Sequence, residues 1–434
     1  MSTIAATPLA APAPSPAVSA KRNRLRIAFL VGGLVLVVLS FVRSVTGAND
    51  LTSSGTFSAT LRVSMPLLLA GLGGLYAERA GVVNIGLEGM MIMGTWFGAW
   101  AGWHFGPWPG AAAGLFGGAL GGLIHAVATV TFDVNHIVSG VAINILAAGV
   151  TRFLSVVAYT NVPGAGVTQS PSVRGTLPRI DLPILAGGRL FGWRSPDMLG
   201  WFEHRHWFFL SDTAGMGKGF SSNLSWLTIL AVLFVPLTAW LLWRTAFGLR
   251  LRSVGEHPVA AESLGVPVYR MKYIAVTISG ALAGLGGAFL VLEEAGIYRE
   301  GQTAGRGFIA LAALIFGNWR PGGVTMGAGL FGYADALQLR SDRAIHALLL
   351  FVAILLIMGA LWFISRRKFV PGTVLAAMSA ATFIWFFASK TVPNEFITIT
   401  PYVVTLLVLA IAAQRLRPPA ADGRPYRKGQ EADI

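Results

Sequence analysis

The sequence predicts an all-α polytopic membrane protein of about 10–12 transmembrane helices with an inverted internal repeat, and three observations carry that expectation. Of its 434 residues, 54% are hydrophobic and 12% charged, about half the roughly 25% charged fraction of a soluble domain. Apolar runs of roughly 20 residues, long enough to cross a bilayer, recur from one end of the chain to the other. An interrupted apolar segment also occurs twice. Ala70-Gly-Leu-Gly-Gly74, Glu78, Ala80, Gly81 and Val82 return, with a small slip in spacing, as Ala283-Gly-Leu-Gly-Gly287, Glu293, Glu294, Ala295, Gly296 and Ile297. In the first copy, Ala70–Trp96, an apolar helix meets Glu78 and Arg79 at roughly membrane depth. It breaks over a Gly-rich polar segment holding Asn84 and Glu88, then resumes at Met90. Bare backbone and charge find no partners in lipid, so such a break lines a wet cavity or packs against protein. Two interrupted segments at matching places in two halves point to a path for solute.

Taken in order, residues 1–26 read as a disordered cytoplasmic tail. Its first twenty residues are mostly Ala, Pro and Ser without apolar periodicity, and Lys21, Arg22, Arg24 and Arg26 follow. The run Ile27–Val42 is a retained first span rather than a signal peptide, because the basic region before it is long and no small-residue cleavage site ends it. Further spans are expected at Thr56–Tyr76, Glu88–Trp103, Trp108–Thr131, Ile137–Ala158, Leu224–Trp243 and Tyr273–Leu292. Gly307–Phe316, Val324–Leu339, Ala344–Ile364, Thr373–Ser389 and Ile397–Ala413 complete the set, so the membrane domain is 27–413. Counting crossings from an inner N-terminus puts the basic loop 244–272 and the tail 414–434 inside, as the positive-inside rule asks. Both termini then lie inside. The long 160–223 loop falls outside, and loops of about 60 residues largely escape that rule. Under this parity the two AGLGG helices point in opposite directions.

The net charge of +14 is explained by Lys and Arg beside span ends, so no nucleic-acid partner is implied. With no cysteine there is no disulfide framework, thiolate nucleophile or Cys metal site. Gly215-Met-Gly-Lys-Gly lacks the P-loop spacing and its Ser/Thr, which excludes a Walker ATP site in this chain. The histidines are scattered; His204 and His206 alternate in a loop without further ligands. No nucleophile elbow or Ser/His/Asp set can be nominated. The chain is therefore expected to be no enzyme and to carry no cofactor or metal. Trp103, Trp108, Trp226, Trp240 and Trp243 sit at span ends, as an interfacial belt against membrane lipid does.

Four residues are candidates for a translocation path: Asn84, Glu88, Asn144 and Arg306. Glu88 either stabilises the first turn of its own half-helix or faces the cavity, and one side chain can do both. Asn84 and Asn144 offer uncharged donors and acceptors at span depth, to a ribose or base or to a neighbouring helix. Arg306, with Thr303 and Gly305, precedes the short span Gly307–Phe316; a surface arginine outside the membrane is the preferred reading, and a path residue is the alternative. Between Trp243 and Lys272, His257–Leu264 predicts a short helix with Pro258 in its first turn and Gly265 at its end. It is too polar to span and lies where a docking partner would grip.

At these residues the sequence resembles a known family. Phe247-Gly-Leu-Arg-Leu-Arg-Ser-Val-Gly-Glu-His-Pro-Val-Ala-Ala-Glu-Ser-Leu-Gly265 is similar to the coupling loop of ABC importer permeases for branched-chain amino acids and simple sugars. Ala80–Met90, Thr303–Gly317 and the tail Arg417-Pro-Pro-Ala-Ala-Asp-Gly-Arg-Pro-Tyr426 look like the nucleoside-uptake branch of that superfamily. The resemblance covers most of 56–340 and 397–428. It implies a type II ABC importer-like permease subunit in the cytoplasmic membrane of a prokaryote. Such a subunit works with a cytoplasmic ABC ATPase, a second, different permease subunit and an extracytoplasmic substrate-binding lipoprotein, with a nucleoside as substrate. Carried over by motif, Glu256, His257, Ala261, Glu262 and Gly265 would meet the ATPase, and the Asn84–Glu88 break would lie along the path. The Ala- and Pro-rich N-terminus and the Ala344–Ser389 hairpin are additions to the family pattern, and the 160–223 segment is enlarged. A simple-sugar ABC permease, an ion-coupled secondary transporter and a membrane-embedded enzyme are the rival readings.

Overall fold

The computed structural model describes residues 16–190, 193–205, 207–338, 342–389, 392–393 and 416–429. The expected span Ile397–Ala413, His206, the start of the N-terminal tail and the last residues of the C-terminal tail lie outside the described residues.

Helix α1 runs Pro16–Thr46, so residues 16–26 are helical where a disordered tail was expected. The reason is local: Pro16 is tolerated in a first turn, and the Ala, Lys, Arg and Leu that follow are good helix formers continuous with the apolar run. A 3-10 turn at Asn49–Leu51 leads to α2, Ser54–Arg79, whose Ser53 cap accepts from Thr56 N–H. Helix α3 is Leu87–Phe105, and α4, Pro107–Ala126, continues as a π turn to Thr131. Helix α5, His136–Tyr159, is capped by Asn135. The 160–223 segment holds α6, Met198–Glu203, and α7, Leu210–Ser221. Strand β1 (Arg179–Ile180) pairs antiparallel with β4 (Leu224–Ser225), and β2 (Arg189–Leu190) with β3 (Trp193–Arg194). Then come α8, Trp226–Arg244; α9, Ala246–Glu256; α10, Pro258–Ser263; and α11, Val268–Phe289, which ends in a π turn through Ala295. Helices α12 (Arg306–Phe316), α13 (Pro321–Gln338), α14 (Asp342–Ser365) and α15 (Phe369–Ala388) complete the order.

Among the described residues, seven helices are long and apolar enough to cross a membrane: α2, the α4 and α11 helices with their π turns, α5, α8, α14 and α15. The spans expected at 88–103, 307–316 and 324–339 correspond to α3, α12 and α13, which fall short on length or apolarity, whereas the one at 27–42 lies inside the 31-residue α1. α12 has 11 residues, about 16 Å at 1.5 Å per residue, so it crosses only half a bilayer. α3 and α13 are rich in Gly and polar groups, which they keep away from lipid by burial.

The core is built on α2 and α11, both mostly buried. A Cβ at Gly73 would meet the Ser279 carbonyl, and one at Gly286 would meet that of Pro66. Moving seven residues back on α2 moves seven forward on α11, so the two AGLGG helices pack antiparallel, the relation an inverted repeat demands. On its other sides α11 touches α3 and α4 backbone to backbone. A Cβ at Gly94 would lie 2.1 Å from the Gly284 carbonyl oxygen, and one at Gly118 2.2 Å from that of Gly280. Small residues permit this approach, and in lipid it is van der Waals contact rather than water exclusion that holds helices together. The hairpin α14–α15 stands apart, with Ala344, Ala347 and Leu350 packed on Val38, Leu39 and Val42 of α1. A buried ion pair, Arg43–Asp212 at 3.0 Å, fastens α1 to α7.

Candidate functional site

α2 ends at Arg79, and the chain passes through Gly81 at φ +80° before α3 begins at Leu87. The break is tolerated because side chains of α4 and α5 satisfy its backbone. His125 donates from Nε2 to the Val83 carbonyl (3.1 Å) and accepts from Ser139 Oγ (2.8 Å), a tautomer fixed by those partners. His136 Nδ1 accepts from Val83 N–H at 3.3 Å. Asn144 accepts from Gly89 N–H at 2.7 Å and donates to the Ile85 carbonyl at 3.2 Å. Asn84 is fully buried; its amide donates to Ser279 Oγ at 2.8 Å, while its Oδ1 has no partner.

The Glu88 carboxylate reaches another helix. It accepts from Thr303 Oγ1 (2.6 Å), Gly305 N–H (2.9 Å) and Gly307 N–H (2.7 Å). These are orphan donors at the start of α12, where a negative charge also meets the positive end of the helix dipole. Two half-helices thus meet with their N-termini together: Asn144 caps α3, and Glu88 on α3 caps α12. Gly307 leaves no room for a side chain, since a Cβ there would lie 2.5 Å from the Glu88 backbone.

Arg306 begins α12 and does not stand free outside. It donates to the Gln302 carbonyl at 3.2 Å and pairs with Asp335 of α13 at 3.4 Å. Beyond it lies a charged group that the sequence reading left out as a set: Arg62 on α2, Glu293 and Glu294 in the π turn after α11, and Asp335. Gly332 sits against Ser64, and Gly286 against Pro66, so these residues share one end of the bundle. Glu293 pairs with Arg179 at 2.8 Å. Glu294 is exposed and faces Arg306, Asp335 and Arg62. A signal was present, because Arg62 and Asp335 are charges inside apolar runs, and such residues are functional candidates by default. π turns likewise gather at functional sites.

At the other end of α2, Arg79 and Glu78 lie beside the 244–272 loop rather than at mid-membrane. Antiparallel packing on α11 carries this end of α2 to the start of α11, where that loop ends. Arg79 donates to the Trp319 carbonyl (2.7 and 3.1 Å) and approaches Glu256 at 3.7 Å; Trp319 Nε1 donates to Glu78. Helix α10 forms as the sequence predicts, with Pro258 in its first turn and Gly265 at φ +80° closing it. Ala261 is buried with Val254, Val268 and Met271. His257 and Gly265 are open to solvent, Glu256 is exposed, and Glu262 is half-buried. Leu264, 85% exposed, is the apolar tip of the loop. Of the five residues assigned to ATPase contact, Glu256, His257, Glu262 and Gly265 reach the surface, whereas Ala261 is buried and serves to pack α10 on its neighbours.

A helical bundle with seven membrane-length helices, a backbone break satisfied from within, a charged cluster at one end and a short polar helix at the other fits a polytopic membrane permease. The chain belongs to the family of branched-chain amino acid transport system permease components, which matches residues 56–361. That match begins in α2 and ends inside α14, so it takes in the first helix of the 344–389 hairpin. The chain is similar to a guanosine ABC transporter permease protein of Bacillus subtilis, 34% identical over 385 residues (86% of this chain, 96% of the relative). It is also similar to a nucleoside ABC transporter permease protein of Lactococcus lactis, 32% identical over 379 residues (85% and 95%). A putative glucose ABC transporter permease protein of Haloferax volcanii is 36% identical over 305 residues (68% and 80%). No solved structure matches the chain.

Proposed function

We propose that this chain is the permease subunit of an ABC importer that moves nucleosides across the cytoplasmic membrane, energised by a separate ATPase. The observation that carries the reading is similarity along nearly the whole length of two relatives named for guanosine and nucleoside transport. A second, different permease subunit and an extracytoplasmic binding lipoprotein complete the assembly. The 244–272 loop and both tails then face the cytoplasm, and the 160–223 segment faces outside.

Geometry supports a mechanism. Solute released by the binding protein enters at the charged mouth. There the Asp335 and Glu294 carboxylates accept hydrogen bonds from ribose hydroxyls, and Arg62 and Arg306 donate to base carbonyls. Below lies the α3–α12 junction, with Asn84, Glu88, Asn144 and Arg306 around it. Passage requires Glu88 to release the start of α12, and charge-assisted hydrogen bonds worth about 1.5–3 kcal/mol each oppose that release. Movement of α10, gripped by the ATPase through Glu256, His257, Glu262 and Gly265 with the buried Ala261 packed behind them, supplies the work. A site that held solute tightly would not release it, so selectivity rests mainly with the binding protein.

A simple-sugar substrate is the second reading, favoured by the glucose-permease relative. Uptake of labelled guanosine in cells that lack their own nucleoside uptake and express this chain with its partner subunits separates the two. Competition by unlabelled nucleosides, with none from glucose or ribose, is expected. Competition by sugars alone would reverse the assignment.

A further inference from the structure

The C-terminal segment 416–429 is laid across the face that carries α10. Arg417 N–H donates to Asn318 Oδ1 at 2.9 Å, in the turn between α12 and α13. Ala420 N–H donates to Glu256 (3.2 Å), and Ala421 N–H to the Gly255 carbonyl (2.9 Å). Asp422 inserts beside Arg79 and Lys272. The Tyr426 hydroxyl donates to Glu262 of α10, and its ring packs with Val254, Ala261, Val268 and Met271 beneath the Lys272 ammonium. Arg427 pairs with Asp133, before α5, at 2.6 Å.

The segment also closes a three-way junction. A Cβ on Gly255 of α9 would lie 2.2 Å from the Arg79 carbonyl, and one on Gly81 would lie 3.1 Å from that of Ala421. The end of α2, the break before α3, the end of α9 and the strap therefore meet backbone to backbone. Helix α10 has six residues, too few to hold its shape or position alone, and Glu262 on it is held by the strap. Pro418, Pro419 and Pro425 stiffen the strap, which lowers the entropy lost on docking.

We propose that residues 416–429 are a mechanical strap that couples α10 to the α2–α3 break, with Tyr426 and Asp422 as its positioning residues. The proposal rests on the reading that α10 meets an ATPase. Displacement of α10 pulls on Glu262–Tyr426, and the strap delivers that pull at Ala420–Asp422 to the backbone leading to Asn84 and Glu88. Without the strap, α10 moves and the junction stays shut.

The test uses the complete transporter in proteoliposomes and reads solute moved per ATP hydrolysed, a ratio that a merely structural defect in assembly leaves unchanged. Tyr426→Phe keeps the ring and removes only the hydroxyl, and it is expected to lower the ratio about tenfold, the factor a lost hydrogen bond to a charged group carries, while ATP hydrolysis continues. Truncation after Pro419 is expected to abolish coupled transport. The chain has no cysteine, so Leu264→Cys provides a single site for cross-linking α10 to the ATPase. A cross-link with an unchanged ratio in all of these variants overturns the strap alone. Absence of a cross-link overturns the α10 assignment, and the strap with it.

Discussion

Three hydrogen-bond donors at the start of α12 converge on Glu88, so its replacement tests how much one carboxylate holds. Glu88→Ala leaves the Gly305 and Gly307 N–H groups and the Thr303 hydroxyl buried without an acceptor, at about 1–3 kcal/mol each. A thermal melt of the purified protein is expected to show a loss of several degrees, with Glu88→Gln between wild type and Ala. An unchanged melt for Glu88→Ala contradicts the capping role. The sequence flagged Glu88 as a charge in a broken helix, but its partner lies 215 residues away, and no local spacing reaches that far. Arg306 was legible in the same partial way: its position was visible, while its pairing with Asp335 depends on how α12 and α13 pack.

Asp422 adds a pH dependence at the same scale. Burial pushes its carboxyl up to about 7, against the opposing pull of the Gly423 N–H, Lys272 and Arg79. A group whose docked value lies above its free value of 3.8 favours docking when protonated. That contribution is full below the free value and is lost as pH rises toward 7. Amide exchange at Ala420 and Ala421, corrected for intrinsic rates, is expected to be faster at pH 8 than at pH 6. In Asp422→Asn the difference is expected to shrink. Equal protection at both pH values in the wild type contradicts the assignment.

At the scale of elements, α11 is the post around which α2, α3 and α4 are set, and its glycines decide the spacing. Gly284 faces α3 and α4 at once: its carbonyl blocks a Cβ on Gly94, and a Cβ on Gly284 would lie 2.3 Å from the Gly114 carbonyl. Gly284→Ala is therefore expected to destabilise by about 1–3 kcal/mol, the range for overpacking a tight contact, read as a lower melting temperature. Gly149, on lipid-facing α5 with nothing within 4 Å of its Cβ position, serves as the control and tolerates Ala. Helices were legible in the sequence because apolar length and the Pro, Gly and Ser signals at their ends are local. Their pairing was not, because lipid-facing and protein-facing surfaces are both apolar and only glycine spacing tells them apart. α3 and α13 passed as ordinary spans in the sequence although they are buried, polar-tolerant helices. α1 was begun too late because the Ala- and Pro-rich composition before it hid an adequate helix former.

At the scale of the molecule, the repeat was the most informative feature of the sequence, since antiparallel α2 and α11 organise everything else. What the repeat left open is the asymmetry between its copies. The first break is closed by His125, His136 and Asn144, whereas the second ends in a π turn, a charged mouth and the short α12. The two ends of the bundle have different chemistry as a result: Arg62, Glu293, Glu294, Arg306 and Asp335 at one, α10 and the 416–429 segment packed on it at the other.

The most direct measurement is uptake of labelled nucleoside by proteoliposomes containing this chain with the proposed partner permease, ATPase and binding protein. With ATP on the side of the ATPase, nucleoside is expected to accumulate on that side against its gradient. Glu88→Ala is expected to reduce that accumulation even where the assembled complex still hydrolyses ATP. Equal accumulation without the ATPase, or ATP-driven accumulation unaffected by Glu88→Ala, would contradict the account.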